Sequence, residues 1–429
     1  MRALRFIPLS MAAAALHGEA VVSPVSGVNR EAGHRDGKGA GAAFNDPMGL
    51  ARDAQGNVFL CDARNHVIRK ITAAGVVSTV AGAPGVGGWA DGAGGAARFR
   101  FPADIAVSPE GDLYVADSGN HCIRMIKADG TVSTIAGSPG STADVPAGTA
   151  SGYAVVPRNP DGSGGAARFN SPGGIAYAGG DLYVSDTGNH LIRRVDMQGN
   201  VTTVAGKAGE WGWADGAGAS ARFSAPLGMC MGSDGNLYIA DSDNHAIRRM
   251  TPQATVTTFS GDPAEHGCKA GAKTEVRYSV PVDVSPHPEG GFIVCESFCN
   301  TLFRVGADGS AAIFSGGSSG TARHADLSNP SSAVCDALGN VYVADTFSQE
   351  IRLVIEKFGM AISGVGADKR LTITWDSLPG RDYQLQLLGE SGWGNAPHPP
   401  VRAVGQVSST SFPLPSDPNG IYRILLLGF

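Results

Sequence analysis

The stretch DLYVADSGNHCIRMIKADGTVSTIAG (112–137) decides the fold, because the chain repeats it. Three further copies are NVFLCDARNHVIRKITAAGVVSTVAG (57–82), DLYVSDTGNHLIRRVDMQGNVTTVAG (181–206) and NLYIADSDNHAIRRMTPQATVTTFSG (236–261). Two divergent copies follow at 291–316 and 340–356. A repeat of this size is one supersecondary unit that buries its apolar face only against neighbouring units. Any function therefore belongs to the assembled array and not to a single copy.

Each copy predicts four short strands joined by tight turns. In the second copy these are residues 102–106, 113–116, 122–126 and 131–136, and a proline opens the first of them. A glycine-rich element, residues 91–99 in this copy, precedes the proline. Four-stranded antiparallel units repeated around an axis form a β-propeller. The predicted fold class is therefore all-β, with one blade for each copy.

Six copies are expected to close into a ring. They start near residues 36, 91, 161, 215, 276 and 322. The sixth copy lacks its last strand, whereas the strand-like segment VVSPVSG (21–27) stands alone before the first copy. If this segment completes the sixth blade, no sheet edge stays open at the seam. Residues 360–363 are the alternative closing strand, and the sequence leaves both open.

The core of the repeat, at residues 117–124 and 186–193, resembles NHL-repeat β-propellers. The DGxGxxARFxxP element before this core and the VxTxAG strand after it are similar to the variety common in bacterial secreted proteins. The resemblance covers about residues 21–356 and implies a six-bladed propeller. It does not imply one function, because a fold hosts unrelated activities. NHL propellers are known as protein-binding platforms, as RNA-binding domains and as a few metal-dependent lyases.

The two ends of the chain differ from the repeats. Residues 1–20 have a positive start, an apolar stretch and a small-x-small site, which predicts a signal peptide and a secreted or periplasmic protein. No other run has the roughly 18 apolar residues that span a bilayer. Residues 357–429 resemble a small fibronectin-III-like β-sandwich, with alternating segments at 370–375, 383–387, 411–414 and 422–427.

The charge pattern predicts no nucleic-acid partner. The net charge is −6, and Lys and Arg mostly recur at fixed positions of the repeat. A protein that binds nucleic acid instead carries a clustered basic surface. The expected partner is a protein or a glycan, and the oligomeric state is left open.

Seven cysteines leave at least one without a partner inside the chain. Four of them stand at repeat positions and are predicted to be small buried residues, namely Cys61, Cys122, Cys230 and Cys335. Cys268, Cys295 and Cys299 cluster in the fifth copy, where an exported protein can oxidise a pair. The alternative there is a zinc site that adds His266, although its spacing matches no standard pattern.

Residues that recur in the copies are predicted to build the fold. Equivalent residues of a six-bladed ring are separated by roughly 60° and do not converge on one atom. This excludes a catalytic centre made of the recurring histidines, His66, His121, His190 and His245. The Asp and Arg that flank each His are predicted to satisfy its polar turn. A second pair in the glycine-rich element, Asp91 with Arg98, is expected to form an ion pair.

Residues that depart from the repeat are the candidate site residues. Two positions after the strand-opening proline, four copies carry Gly or Ser, but the second and fifth carry Asp104 and Asp283. The first strand lines the central channel in the family that the chain resembles, and these two copies are opposite each other. The two carboxylates are candidates to hold a divalent cation or a basic group. The alternative is that each caps a local turn.

Three tryptophans and one insertion are the other departures. Trp89, Trp211 and Trp213 lie in the loops before the second and fourth copies. Aromatic side chains in such loops either anchor a partner or pack between blades. Residues 138–160 form an insertion long enough to make a rim loop.

No catalytic constellation is recognisable in the sequence. No Gly-x-Ser-x-Gly elbow precedes a helix, and no HExxH motif is present. The prediction is an exported scaffold that binds a protein or a glycan, with no cofactor except the candidate channel cation. The alternative is a metal-dependent propeller lyase or lactonase, which needs several inward His or carboxylate ligands from different blades.

Overall fold

The computed structural model describes residues 21–139, 160–316 and 327–355, together with strands at 16–17 and between 359 and 427. The predicted signal peptide and most of the 138–160 insertion lie outside the described residues. Within the described residues the chain forms β-strands and short 3₁₀ turns. None of its helical segments there is long and apolar enough to cross a bilayer.

Six antiparallel sheets follow one another as the blades, which confirms the all-β, six-bladed propeller. The innermost strands are Pro47–Arg52, Pro102–Val107, Gly174–Ala178, Pro226–Met231, Pro281–Pro286 and Pro330–Cys335. The second strands are Val58–Asp62, Leu113–Asp117, Asp181–Asp186, Leu237–Asp241, Phe292–Glu296 and Val341–Asp345. The third strands are Val67–Ile71, Cys122–Ile126, Leu191–Val195, Ala246–Met250, Thr301–Val305 and Glu350–Ile355.

The outermost strands of the first five blades are Val76–Ala81, Thr131–Gly137, Asn200–Ala205, Thr255–Gly261 and Ala311–Gly316. A two-residue edge strand from the glycine-rich element pairs with the outermost strand in each of the first four blades. These edge strands are Gly37–Lys38, Gly92–Ala93, Gly162–Ser163 and Gly216–Ala217.

The sixth blade is completed by the strand Val21–Gly27, which lies beside Glu350–Ile355 in its sheet. Residues 360–363, the alternative, instead belong to the strand Gly359–Val365, which pairs with Arg370–Asp376. The structure therefore confirms the first of the two predicted closures. Each innermost strand contacts the next, and that of the sixth blade contacts that of the first. The ring is closed.

Apolar side chains fill the space between neighbouring sheets. Between the first two blades, Phe59 and Ile68 belong to the same buried cluster as Phe99 and Val115. Each sheet of the ring has a neighbour on both faces, and in four blades the second strand is buried along its whole length, as in Leu113–Asp117. The predicted small core residues Cys61, Cys122 and Cys230 are buried in this way, and Cys335 is half-buried.

The recurring Asp and Arg form a buried ion-pair network inside each regular blade. In the second blade Arg124 donates to Asp117 and to Asp91, both at 2.9 Å. Its guanidinium carbon lies 5.0 Å from the centroid of the Phe99 ring. Burial raises the pKa of Asp117 to about 6, against hydrogen bonds and the charge of Arg124. The equivalent arginines are Arg69, Arg193 and Arg248. These recurring residues build the fold, as predicted.

The ion pairs predicted inside the glycine-rich element are wrong, namely Asp91 with Arg98, Asp161 with Arg168 and Asp215 with Arg222. Asp91 does not pair with Arg98, because its carboxylate accepts a hydrogen bond from Arg124. Arg98 instead donates to backbone carbonyl groups of its own 3₁₀ turn, including that of Gly95 at 2.6 Å. The charge partner of Asp91 is thus 33 residues away and becomes a neighbour through the fold.

The recurring histidines join neighbouring blades. The Nδ1 atom of His121 accepts a hydrogen bond from the N–H of Ser171 in the next blade at 2.9 Å. His66 and His190 accept in the same way from Phe101 and Ala225. Asn300 and Gln349 take this role in the fifth and sixth blades, and the Nδ1 atom of His245 lies 2.5 Å from the carbonyl oxygen of Ser279. The histidines contact different residues and do not share a centre.

By contacts the chain divides into two compact units, residues 26–352 and a second unit of residues 1–25 and 353–429, and the division falls within the paired strands Val21–Gly27 and Glu350–Ile355. After the propeller this unit has two small antiparallel sheets. Their strands include Gly359–Val365, Arg370–Asp376, Asp382–Gly389, Gly392–Asn395, Val401–Arg402, Val407–Pro413 and Ile421–Leu427. A fibronectin-III-like module stays a prediction.

Candidate functional site

The turns after the second strands and the loops that enter each blade lie on one face of the propeller, called here the loop face. Antiparallel strands alternate in direction, so every second connection emerges on the same side. A contact supports this placement. The Asn120 side chain, in the turn of the second blade, donates to the Gly88 carbonyl in the loop that enters that blade, at 2.7 Å.

The three predicted tryptophans are exposed on the loop face. The exposed fractions are 50% for Trp89, 69% for Trp211 and 54% for Trp213. The indole N–H of Trp89 donates to the Thr134 hydroxyl at 2.9 Å, which orients the ring without covering it. Exposed aromatic side chains of this kind supply contact area at low entropic cost.

Two further aromatic side chains on this face were missed by the sequence reasoning. Phe298 and Phe347 are 73% and 60% exposed. They occupy equivalent positions in the turns of the fifth and sixth blades, where the other copies have Arg or Asp, or Gly as at Gly119. The signal was present in the sequence, since an aromatic residue replaces a polar or small one at a fixed repeat position.

The central channel is lined at one level by a ring of small and acidic residues. Each of them lies two positions after the proline that opens or precedes an innermost strand. They are Gly49, Asp104, Gly174, Gly228, Asp283 and Ser332. The two aspartates thus lie in blades two and five, as predicted.

Both aspartates tie their own strand to the next one. Asp104 Oδ2 accepts the N–H of Ile175 in the third blade at 2.8 Å. Asp283 Oδ2 accepts the N–H of Ala333 at 3.0 Å and the hydroxyl of Ser332 at 2.8 Å, both in the sixth blade. The Oδ1 atom of each accepts the N–H of the following residue in its own strand. The carboxylates therefore bridge adjacent blades.

The channel carboxylates influence each other. Burial raises the pKa of Asp104 well above its usual range, and the charge of Asp283 raises it further. Burial also raises the pKa of Asp283. Two desolvated carboxylates that disfavour each other's charge attract a cation or a proton. A binding role for the pair stays a prediction.

A glycine precedes each aspartate around the ring. A Cβ atom on Gly49 would lie 2.3 Å from Asp104 Oδ1, and one on Gly228 would lie 2.2 Å from Asp283 Oδ1. These distances are shorter than any van der Waals contact. The glycines therefore make room for the carboxylates, which explains why Gly49 and Gly228 precede Asp104 and Asp283 around the ring.

The described residues contain one cluster of three potential metal ligands, and it lies in the fifth blade. Its members are Cys268, Glu296 and Cys299. Cys268 and Cys299 form a disulfide, and Cys295 is buried outside it. The predicted cysteine pair is therefore present, and the alternative zinc set that included Cys295 is not formed. Within the described parts of the chain, Asp104 and Asp283 have no third potential ligand beside them.

The chain forms a closed six-bladed β-propeller with exposed aromatic side chains on its loop face. Its repeats match the NHL repeat at residues 99–124, 169–194 and 223–250. The chain is 30% identical over 297 residues to the chloroplastic protein Suppressor of Quenching 1 of Arabidopsis thaliana, covering 65% of this chain and 26% of that protein. It is 26% identical over 336 residues to human NHL repeat-containing protein 2, covering 68% and 44%. These matches support an NHL-repeat β-propeller.

The chain spans less than half the length of these curated relatives. Among solved structures, an auxiliary nutrient binding protein from Bacteroides ovatus superposes with a TM-score of 0.56 at 14% identity. The match covers 79% of this chain and 76% of that one. At this identity the likeness shows the fold alone.

Proposed function

We propose that this protein is an exported binding scaffold and that a protein or glycan partner docks on the loop face. The observation that carries the proposal is the set of exposed rings on that face, Trp89, Trp211, Trp213, Phe298 and Phe347. Tryptophan is among the residues that contribute most to binding when a partner covers them. The recurring Asp and Arg form ion pairs inside the blades, whereas these rings are exposed to a partner.

A binding experiment on tryptophan variants tests the proposal. Immobilised wild-type protein is exposed to a panel of purified envelope polysaccharides and, separately, to envelope proteins, with surface plasmon resonance as the readout. Replacing both Trp211 and Trp213 by alanine is expected to weaken the captured interaction by at least about tenfold, because two anchoring rings are lost.

The matched control is Leu338→Ala. Leu338 is 50% exposed and lies in the turn after an innermost strand, on the opposite face from the tryptophans. Its replacement is expected to leave binding unchanged. Equal binding by the double tryptophan variant and the wild type would remove the basis of the proposal.

The lyase or lactonase alternative has less support. Such an enzyme needs several metal ligands that converge on the axis and an open coordination position. Asp104 and Asp283 supply two carboxylates, and both accept backbone N–H groups of the next blade. No described residue completes a set of three with them.

A further inference from the structure

The fifth blade lacks the ion-pair network of the regular blades. Glu296 stands where the second blade has Asp117, but Phe303 replaces the arginine, and Ala270 replaces the outer aspartate. Glu296 is 0% exposed. Its carboxylate accepts hydrogen bonds from the backbone N–H groups of Ser279 at 3.0 Å, of Cys299 at 2.5 Å and of Val280. This blade therefore holds a buried carboxylate at a position that elsewhere has a guanidinium partner.

The disulfide of the fifth blade takes the place of a hydrogen bond that recurs in the first, second and fourth blades. In the second blade the Asn120 side chain donates to the carbonyl of Gly88, the residue before Trp89. Cys299 occupies the position of Asn120, and Cys268 occupies that of Trp89. The bond between Cys268 and Cys299 thus ties the same turn to the same entering loop, covalently instead of by a hydrogen bond.

The two sulfur atoms differ in access, and a carboxylate lies beside both. Cys268 is exposed on the loop face, whereas Cys299 is 7% exposed. The two Sγ atoms and a carboxylate oxygen of Glu296 lie within 4.8 Å of one another. An external thiol can therefore reach one sulfur and not the other, and a proton carrier stands next to the sulfur that would leave.

We propose that Cys268 and Cys299 form a thiol–disulfide exchange site, with Glu296 as the group that carries the proton of Cys299. The partner is a thiol, either a small molecule or a cysteine of another protein. The proposal is independent of the partner that docks on the loop face.

The exchange balances in two steps. The thiolate of a partner RSH attacks Cys268 Sγ, the S–S bond breaks, and Cys299 leaves as a thiolate that takes up the proton RSH has released. Attack by a second RSH on the mixed disulfide then yields RSSR and the Cys268 thiol. Two electrons pass from the two partner thiols to the disulfide. In the reverse direction the Cys299 thiol passes its proton to the Glu296 carboxylate as its sulfur attacks Cys268 Sγ of the mixed disulfide, and the released RS⁻ takes up that proton to give RSH.

The test uses the full chain, purified without reductant and treated with reduced glutathione at pH 7. Free thiols are trapped with N-ethylmaleimide at set times, and the peptides that contain residues 268 and 299 are identified by mass spectrometry. Glutathione is expected on Cys268 and maleimide on Cys299. The buried Cys61, Cys122 and Cys295 report on unfolding and are expected to stay unmodified.

The role of the carboxylate is tested with Glu296→Asp. The regular blades have aspartate at this position, so the variant is expected to fold, and its carboxylate is one methylene further from the sulfurs. Exchange is expected to slow about tenfold, less than the roughly 10²–10⁴-fold contribution of a general acid or base, because the carboxylate is moved and not removed. Glu110→Asp, an exposed turn residue of another blade, is the control and is expected to exchange at the wild-type rate.

Three results would overturn the proposal. The first is a disulfide that glutathione does not reduce before the buried cysteines react as well. The second is glutathione on Cys299, and the third is an unchanged exchange rate in Glu296→Asp. If that variant does not fold, the position of glutathione in the wild type still decides the question.

Discussion

Asp104 is a half-buried carboxylate of the central channel that backbone N–H groups hold in place. Its oxygens accept hydrogen bonds from two different blades, so the side chain fastens one innermost strand to the next. Burial and the charge of Asp283 both raise its pKa. An acid whose pKa is higher in the folded state makes its full contribution to the free energy of unfolding below its pKa in the unfolded chain, about 3.9 for aspartate. This contribution is lost as the pH rises through the folded-state pKa.

The variant Asp104→Asn tests this account. At pH 4 the free energy of unfolding is expected to be about 1–2 kcal/mol lower than in the wild type, because one hydrogen bond loses its acceptor. This deficit is expected to shrink as the pH rises to 8, since the asparagine has no charge to desolvate. Urea unfolding at pH 4, 6 and 8 measures the difference. Parallel pH curves for the two proteins would contradict the raised pKa.

Single residues show what the sequence could and could not predict. The aspartates and tryptophans were found because each departs from its repeat position, and Phe298 could have been found in the same way. The pairing of Asp91 could not, because its partner Arg124 lies 33 residues away and a nearer arginine was available in the same element. Charge pairing depends on strand register, which spacing along the chain does not give.

The turn after each second strand is the element that couples the blades. In the first four blades it is a short 3₁₀ turn that ends on a histidine in the left-handed conformation, with φ between 55° and 59°. This conformation is uncommon for residues other than glycine. In three of these turns the ring then accepts a backbone N–H of the next blade at Nδ1, which requires the neutral imidazole.

Replacing His121 tests the coupling. His121→Ala is expected to lower the free energy of unfolding by about 1–2 kcal/mol at pH 7.5, since the N–H of Ser171 loses its acceptor. His121→Gln is expected to stay closer to the wild type. Gln349 makes the equivalent contact in the sixth blade, through its side-chain oxygen at 2.7 Å from the N–H of Asp46.

The same two variants separate the effect of protonation of His121 on stability from the effect of its side-chain shape. Burial, and then the charge of Arg100, lower the pKa of His121. Because the unfolded chain binds the proton first, the contribution of His121 is present above its unfolded pKa of about 6.5 and is lost as the pH falls through the folded pKa. Thermal unfolding at pH 7.5 and pH 5 should therefore show the stability of the wild type falling towards, or below, that of His121→Gln. A constant gap would contradict this coupling.

For the whole molecule, the number of blades and their order follow from the repeats alone. Six similar units cannot bury their faces singly, and a free segment before the first copy matches a missing strand in the last. The fifth blade shows where this reasoning stops. Its copy is recognisable, but the loss of the arginine at Phe303 and the covalent link at Cys268 become meaningful only when the blades are superposed. Their neighbours in space are far apart in the sequence.

Removing the closing strand tests whether closure of the ring depends on it. A chain without residues 1–27 exposes the edge of Glu350–Ile355, whereas a chain without residues 1–20 keeps Val21–Gly27 beside it. The longer deletion is expected to lower the melting temperature and to produce dimers or larger aggregates, because an open edge pairs with other chains. Light scattering after size-exclusion chromatography measures both proteins. Equal behaviour of the two deletions would show that closure does not depend on this strand.

The place of the closing strand in the sequence also determines when the ring can close during biosynthesis. Val21–Gly27 leaves the ribosome before the first blade, yet its neighbour in the sheet, Glu350–Ile355, is translated after five complete blades. At usual elongation rates this interval is on the order of tens of seconds. Early blades can dock on one another while translation continues, but the circle is sealed after the last blade has emerged. A strand made before the first blade is thus used after the fifth, and a nascent chain must keep it from pairing elsewhere in the meantime.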